Sequence, residues 1–413
     1  MRKEMKSLHC IILALTLIPL QRVLSVAVVR SKGRGYILTS KSVVLAVFLG
    51  VGIGLLEQAR SESSPWPVQL EMRVLFEPTA FPSAGRTYLA YELYLTNFSN
   101  DSLALRRIDV LDAETPSDRP IAAFEGQELD ALLQPVGIQR SGEEGGGNRL
   151  APGGSVVVFM WVAVEPGARV PSKLRHRVVT AEATAEGAVI GTHRTELKVL
   201  GSPVRGSNWL ASDAPSNDAD NHHRRGIFVF DGRAAISRRY AIDWMQVENG
   251  ASFSGNARDK RSYYAYGKAV VAVADATVVT ARDGLPDNVP GHNTPGHQGF
   301  NPAVPLTIDT HAGNIITLDI GNGQFAFYCH LQPGSVRVKV GERVKRGQVM
   351  ALIGDSGDAR EPHLHFEITN STKLLAGEGL PYVIDHFRVT SEKGREDRTR
   401  ELPLKDMVVN FGQ

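Results

Sequence analysis

Cysteine is nearly absent from this chain: among 413 residues only Cys10 and Cys329 carry a thiol. If the apolar N-terminal stretch around Cys10 is removed, one thiol remains, which excludes an intrachain disulfide and a cysteine-ligated zinc site. An excess of charge is absent too. Lys plus Arg total 46 against 44 Asp plus Glu, a formal net charge of +2, so no nucleic-acid partner is indicated. Aromatics make up only 7%, beside 40 Gly and 22 Pro, a balance that suits strands and turns rather than a helical bundle. Long apolar runs are missing as well. The run from Cys10 to Val29 is broken by Pro19 and by Gln21-Arg22. The run from Val43 to Leu56 is shorter than the roughly 20 residues that a membrane span needs. It follows Lys41 and precedes a polar stretch, the pattern of a signal-peptide core. Residues 1–60 are therefore read as a signal or membrane-targeting segment. Glu57 spoils a small-residue cleavage site ending at Ala59, which leaves both a cleaved product and a membrane anchor open.

What is present is strand-like. Between Trp66 and Leu200, short β-branched and aromatic runs alternate with turn signals such as Pro152-Gly153-Gly154 and Glu165-Pro166-Gly167. Six or seven strands over residues 66–200 predict an N-terminal β-sandwich. Gly142–Asn148 reads as a glycine-rich loop, and His176 and His193 stand alone there and read as surface residues. Residues 201–224 are polar and read as a linker. A second β-rich domain follows over 225–390, opening on a hairpin with Ile227–Phe230, a turn at Asp231-Gly232 and a strand from Ala234 to Val247. The charged tail, 391–413, reads as peripheral.

The richest local pattern is His363-Leu364-His365-Phe366, which runs into Glu367-Ile368. In a strand, residues two apart share a face. Both imidazoles then aim at one place while Leu364 and Phe366 point into a core. Such a pair is costly to bury without a partner, and a divalent metal is a natural one. Cys329 beside His330 would face the opposite way in a strand, which favours a structural thiol over a nucleophile.

Other motifs precede the pair in order: Tyr240-Ala241-Ile242-Asp243-Trp244, Ala272-Val273-Ala274-Asp275-Ala276, Gly313–Gly321, Tyr328-Cys329-His330-Leu331, Val340–Val349 and Gly354-Asp355-Ser356-Gly357. The series resembles the lysostaphin-type zinc metallopeptidases, which cut peptide bridges in bacterial cell walls. The resemblance covers about residues 239–368. It implies a mainly β fold, with a β-rich lysostaphin-like (duplicated hybrid motif) peptidase domain after the sandwich. It also implies a zinc cofactor, peptidoglycan peptides as substrate, and a place in the periplasm or cell envelope. Carried over by motif, Asp243 and His365 are zinc ligands, while His330 and His363 flank the metal-bound water.

One position departs from that family. Its first zinc ligand is a histidine four residues before the aspartate, and here that residue is Arg239, which cannot ligate zinc. The predicted hairpin places 221–223 opposite 240–243. A strict two-residue turn would bring His222 to the face of Asp243, and one extra turn residue would bring His223. Similar sequences carry a single histidine before the Arg-Arg pair, which selects His223. The expected zinc set is thus His223, Asp243 and His365. The rival expectation is a degenerate member that binds the wall or regulates a partner hydrolase without cutting. The histidines His292, His297 and His311 lie in loop-like stretches and receive no role.

Overall fold

In the computed structural model, residues 66–137, 148–290, 302–391 and 394–412 are described. The expected targeting segment, most of the glycine-rich loop, His292 and His297 lie outside them. No helix of the described residues is long and apolar enough to cross a membrane.

The fold is mainly β. In the first region one five-stranded sheet runs Leu70–Arg73, Arg86–Asn97, Ser155–Val164, Leu133–Pro135, with Phe81–Ser83 added beside Arg86–Asn97. A second runs Thr184–Gly191, Lys173–Thr180, Leu103–Asp112, Ala122–Glu125, with Arg149–Leu150 added. The two share a core because their strands alternate: Leu89, Tyr91, Leu93 and Leu95 meet Ile108, Val110, Leu174 and Val178. His176 occupies an inward position of that alternation and is fully buried. This corrects the expectation that it lies on the surface. Its ring bonds the Tyr91 hydroxyl at 2.8 Å and the Ala188 carbonyl at 2.9 Å, satisfying both nitrogens.

Arg86–Asn97 is buried on both faces. Its other set of residues, including Ala90 and Glu92, leaves the first core, and Ala90 joins the core of the second region. That second core lies under an eleven-stranded sheet, in whose middle Trp209–Ser212, Ile242–Gln246, Leu364–Thr369, Phe325–Leu331 and Asn314–Asp319 are successive neighbours. Residues 67–413 form one unit.

Three expectations need correction. The stretch 201–224 is not a free linker, since Trp209–Ser212 is a sheet strand with Trp209 and Ala211 fully buried. The tail is not peripheral: Gly394–Glu401 and Val408–Asn410 pair with Tyr382–Ser391, and Phe411 packs edge-on against Trp244 at 5.4 Å. Its charges sit on exposed faces, while Leu402 and Val409 supply the buried contacts. The hairpin exists but is short, Phe228–Phe230 with Arg233–Ala235. A 3₁₀ turn, Ser237–Tyr240, then interrupts the chain before Ile242–Gln246. Asp243 therefore pairs across the sheet with Ser212 and His365, not with 221–223.

Candidate metal centre

The strand Leu364–Thr369 sorts its residues by parity. Leu364, Phe366 and Ile368 are fully buried in the core beneath the sheet, with Phe366 edge-on to Tyr328 and Tyr382. His363, His365 and Glu367 emerge on the other face and line a cavity of about 320 Å³. Antiparallel pairing sets Asp243 directly opposite His365 on one side and Cys329 opposite it on the other.

His330 follows Cys329 at the end of its strand, yet both line the cavity. The simple alternation expected for the pair fails here because His330 has φ of 63°, a left-handed conformation uncommon for a residue with a side chain. A register shift in the pairing with Asn314–Asp319 accompanies it. Burial pushes the Cys329 thiol well above its ordinary value, so it offers no thiolate at neutral pH.

His223 arrives by another route than the predicted hairpin. It sits on the one-turn helix His222–Arg225, whose capping residue Asn221 accepts the Arg224 amide at 3.0 Å and donates to the Ala214 carbonyl at 2.9 Å. His223 is 2% exposed, whereas the His222 side chain is 53% exposed.

The polar atoms converge on Asp243. Its Oδ1 lies 2.8 Å from His365 Nδ1 and 3.5 Å from His363 Nε2, and its Oδ2 lies 3.6 Å from His223 Nε2. Three of the rings are oriented alike from behind: Nδ1 of His223, His330 and His363 lies 2.9, 2.8 and 2.7 Å from the carbonyls of Asp213, Ser356 and Glu361. A carbonyl accepts only, so each Nδ1 carries hydrogen and, in the neutral ring, Nε2 keeps a lone pair. For His223 and His363 that lone pair is on the side of Asp243. His365 is turned the other way, with Nδ1 on Asp243 and Nε2 3.8 Å from Glu367 Oε2.

Electrostatics follows from this packing. Burial would raise the Asp243 carboxyl, but His223, His363 and His365 together hold it well below its usual range. Burial depresses His223 and His330 far below an ordinary imidazole. Burial would also depress His365, yet its bond to Asp243 and the nearby Glu367 carboxylate win and raise it to about 9. The result is a buried anion ringed by imidazoles, of which two are held neutral. Such a donor set fits a divalent cation of borderline softness.

Two triads share Asp243. Ligand atoms of His222, His223 and Asp243 lie within 4.8 Å of one another, and His223, Asp243 and His365 form the other set through the contacts above. Arg239, at the position where the family has its histidine, turns away: its guanidinium bonds Glu92, Glu378 and the Gly379 carbonyl.

Sequence reading missed Asp213 and Glu367. Glu367 had a signal, since it continues the two-residue period of His363 and His365. It is 1% exposed and neither carboxylate oxygen accepts a hydrogen bond among the described residues. Asp213 acts through its backbone carbonyl, which leaves no trace in residue identity. His311 also lines the cavity, 3.4 Å from Asp358.

Residues 262–376 match the model of Peptidase family M23. That stretch contains His330, His363 and His365 but begins after His223 and Asp243. Two curated relatives are the peptidoglycan DD-endopeptidases ShyA and ShyB of Vibrio cholerae, 40% and 41% identical over 58 residues. Each match takes in 14% of this chain and 13% of the relative's own length. The catalytic domain of lysostaphin from Staphylococcus simulans aligns at 23% identity, covering 37% of this chain and 80% of that domain with a TM-score of 0.20. Over residues 262–376 the chain is thus similar to Peptidase family M23.

Proposed function

We propose that this chain is an exported zinc endopeptidase that hydrolyses cross-bridge or stem peptides of bacterial peptidoglycan. His223 Nε2, an Asp243 carboxylate oxygen and His365 Nδ1 would hold the zinc. One observation carries the reading: those three donors are buried around one carboxylate at the floor of an open cavity, with two further imidazoles beside them. This set is preferred to the one with His222 because His222 is half exposed and its Nδ1 is 3.7 Å from Asp213 Oδ2. The similarity to the DD-endopeptidases supports the substrate class.

Bound zinc would supply Lewis-acid polarisation of the scissile carbonyl and a water acidic enough to attack it. The chain's own residues supply the rest. Ser356 and Glu361 carbonyls fix the His330 and His363 rings, so each presents one defined nitrogen rather than a rotating choice. The rings stand 4.8 Å apart between centroids. One is then suited to take the proton leaving the nucleophile at its free Nε2, and the other, once protonated there, to donate to the developing oxyanion. Arg238 and Arg360 also line the cavity and offer cations for a peptide carboxylate.

Retention of Asp243, His330, His363 and His365 around one cavity favours cutting over the wall-binding, non-cutting alternative. Export rests on the apolar run Val43–Leu56, and cell fractionation with an antibody to the chain tests it. For the activity, purified protein is expected to contain about one zinc per chain and to release soluble fragments from peptidoglycan. Full activity in metal-free protein would overturn the reading.

A further inference from the structure

His223 and Asp243 each have a buried arginine near them in sequence that points the opposite way. Arg224 follows His223 and is fully buried, and Arg239 stands four residues before Asp243 at 3% exposure. Both meet Glu92, which lies on Arg86–Asn97 in the first region and is itself 4% exposed. Arg224 Nη1 bonds Glu92 Oε1. Arg239 bonds both carboxylate oxygens, with Nε 3.1 Å from Oε1 and Nη2 2.7 Å from Oε2. Neither arginine has an alternative free in water. Arg224 also donates to the carbonyls of Tyr91 and Met160 at 3.0 and 3.2 Å, and its guanidinium lies 4.9 Å over the Phe159 ring. Arg239 also bonds Glu378 at 2.7 Å and the Gly379 carbonyl at 3.0 Å. Two cations and two anions thus close on themselves. Glu92 is the member that comes from the other sheet, on the face of its strand opposite Tyr91 and Leu93.

We propose that Glu92 is a positioning residue for the metal centre: it clamps Arg224 and Arg239 so that the adjoining His223 and Asp243 are held at ligand distance. This rests on the zinc reading above. The one-turn helix carrying His223 is too short to be stable alone. Besides the Asn221 cap, the Asp213 carbonyl, the Arg225 bonds to the Asn217 and Asp218 carbonyls and packing against Ser237–Tyr240, it is held by contacts of Arg224 and Arg225 with the first region. Arg225 lies 4.2 Å over the Phe159 ring and bonds the Ala131 carbonyl at 3.1 Å. Arg239 at the family's histidine position is then an exchange rather than a loss. The ligand comes from His223, and the vacated position becomes the anchor that fixes its neighbour. The two-sheet region is on this account part of the metal site's framework.

The test uses the full chain with Glu92→Gln, which keeps shape and removes charge, and the double variant Glu92→Leu/Arg224→Met. The second matters because replacing a buried ion pair with apolar groups often preserves or raises stability. Zinc affinity is measured by chelator competition, and the ligand field by visible absorption of the cobalt-substituted protein. Both variants should keep a cooperative thermal transition, bind zinc about tenfold or more weakly, and show an altered cobalt spectrum. Folded variants with zinc affinity within about twofold of the parent and an unchanged cobalt spectrum would overturn the clamp. A parent protein that binds no zinc would instead overturn the zinc reading.

Discussion

Two buried polar clusters draw on the same two segments, His223 next to Arg224 in one and Asp243 four residues after Arg239 in the other. His223 and Asp243 belong to a cluster of imidazoles around one carboxylate, open to a cavity. Arg224 and Arg239 belong to a cluster of guanidiniums around Glu92 and Glu378, closed off from solvent on nearly every side. The closed cluster brings its own cations, and burial, which alone would raise the Glu92 carboxyl, is outweighed by Arg239 and Arg224, which hold it down to about 2. The open cluster has an anion and a set of neutral lone pairs. Among the described residues no lysine or arginine pairs with Asp243, whose partners are histidines. One cluster is finished by folding, while the other is the one that, on the proposed function, takes a cation. The contrast says which of two neighbouring polar groups is architecture and which is chemistry, although both are equally buried.

Removing a donor from the open cluster should have the largest effect. His365→Ala is expected to abolish zinc retention and to reduce peptidoglycan hydrolysis by more than the roughly 10–100-fold that outer partners of a metal contribute. Zinc content and turnover measured on the same sample check this. His223→Ala should follow closely, with zinc lost on dialysis at a chelator concentration that the parent survives. Asp355→Asn separates the chemistry from the fold. Asp355 is fully buried with neither oxygen hydrogen-bonded among the described residues, and burial, then Asp287, raises its carboxyl to about 8. An acid raised on folding binds its proton in the native state over the range where the unfolded chain has released it. Stability is therefore fully present below the unfolded value near 4 and falls as pH rises toward about 8. Asp355→Asn should flatten that fall in the thermal midpoint and stabilise the protein at pH 8 by on the order of 1–3 kcal/mol. An equal pH slope in parent and variant would show that the carboxylate is not buried as described. Smallest of all, His222→Ala should change activity by only a few fold, because its half-exposed ring lies tilted against His223, 4.2 Å between centroids, on the outer side.

The legible part of the site was the part governed by local periodicity. The alternation of His363, Leu364, His365 and Phe366 fixed a polar face and an apolar face, and the strand obeys it. Asp243, His330 and His223 line the same cavity. His223 was reached by the wrong geometry, because the chain turns through Ser237–Tyr240 where a continuous hairpin strand was expected. Arg239 could be read as a departure, but its role could not, since its partner Glu92 is 147 residues away. A trace of that partner was present: Glu92 is the one acidic residue in the strand Arg86–Asn97, and a charge in a strand buried on both faces calls for a buried counter-charge. The tail misled because its charges dominate composition while a few apolar residues decide its packing.

On the proposed function, His223 and not His222 completes the metal site with Asp243 and His365. Zinc affinity of His222→Ala and His223→Ala, measured side by side by chelator competition, tests it most directly. Near-parental binding is expected for the first and loss of binding for the second. Equal losses in both, or a loss in His222→Ala alone, would contradict it.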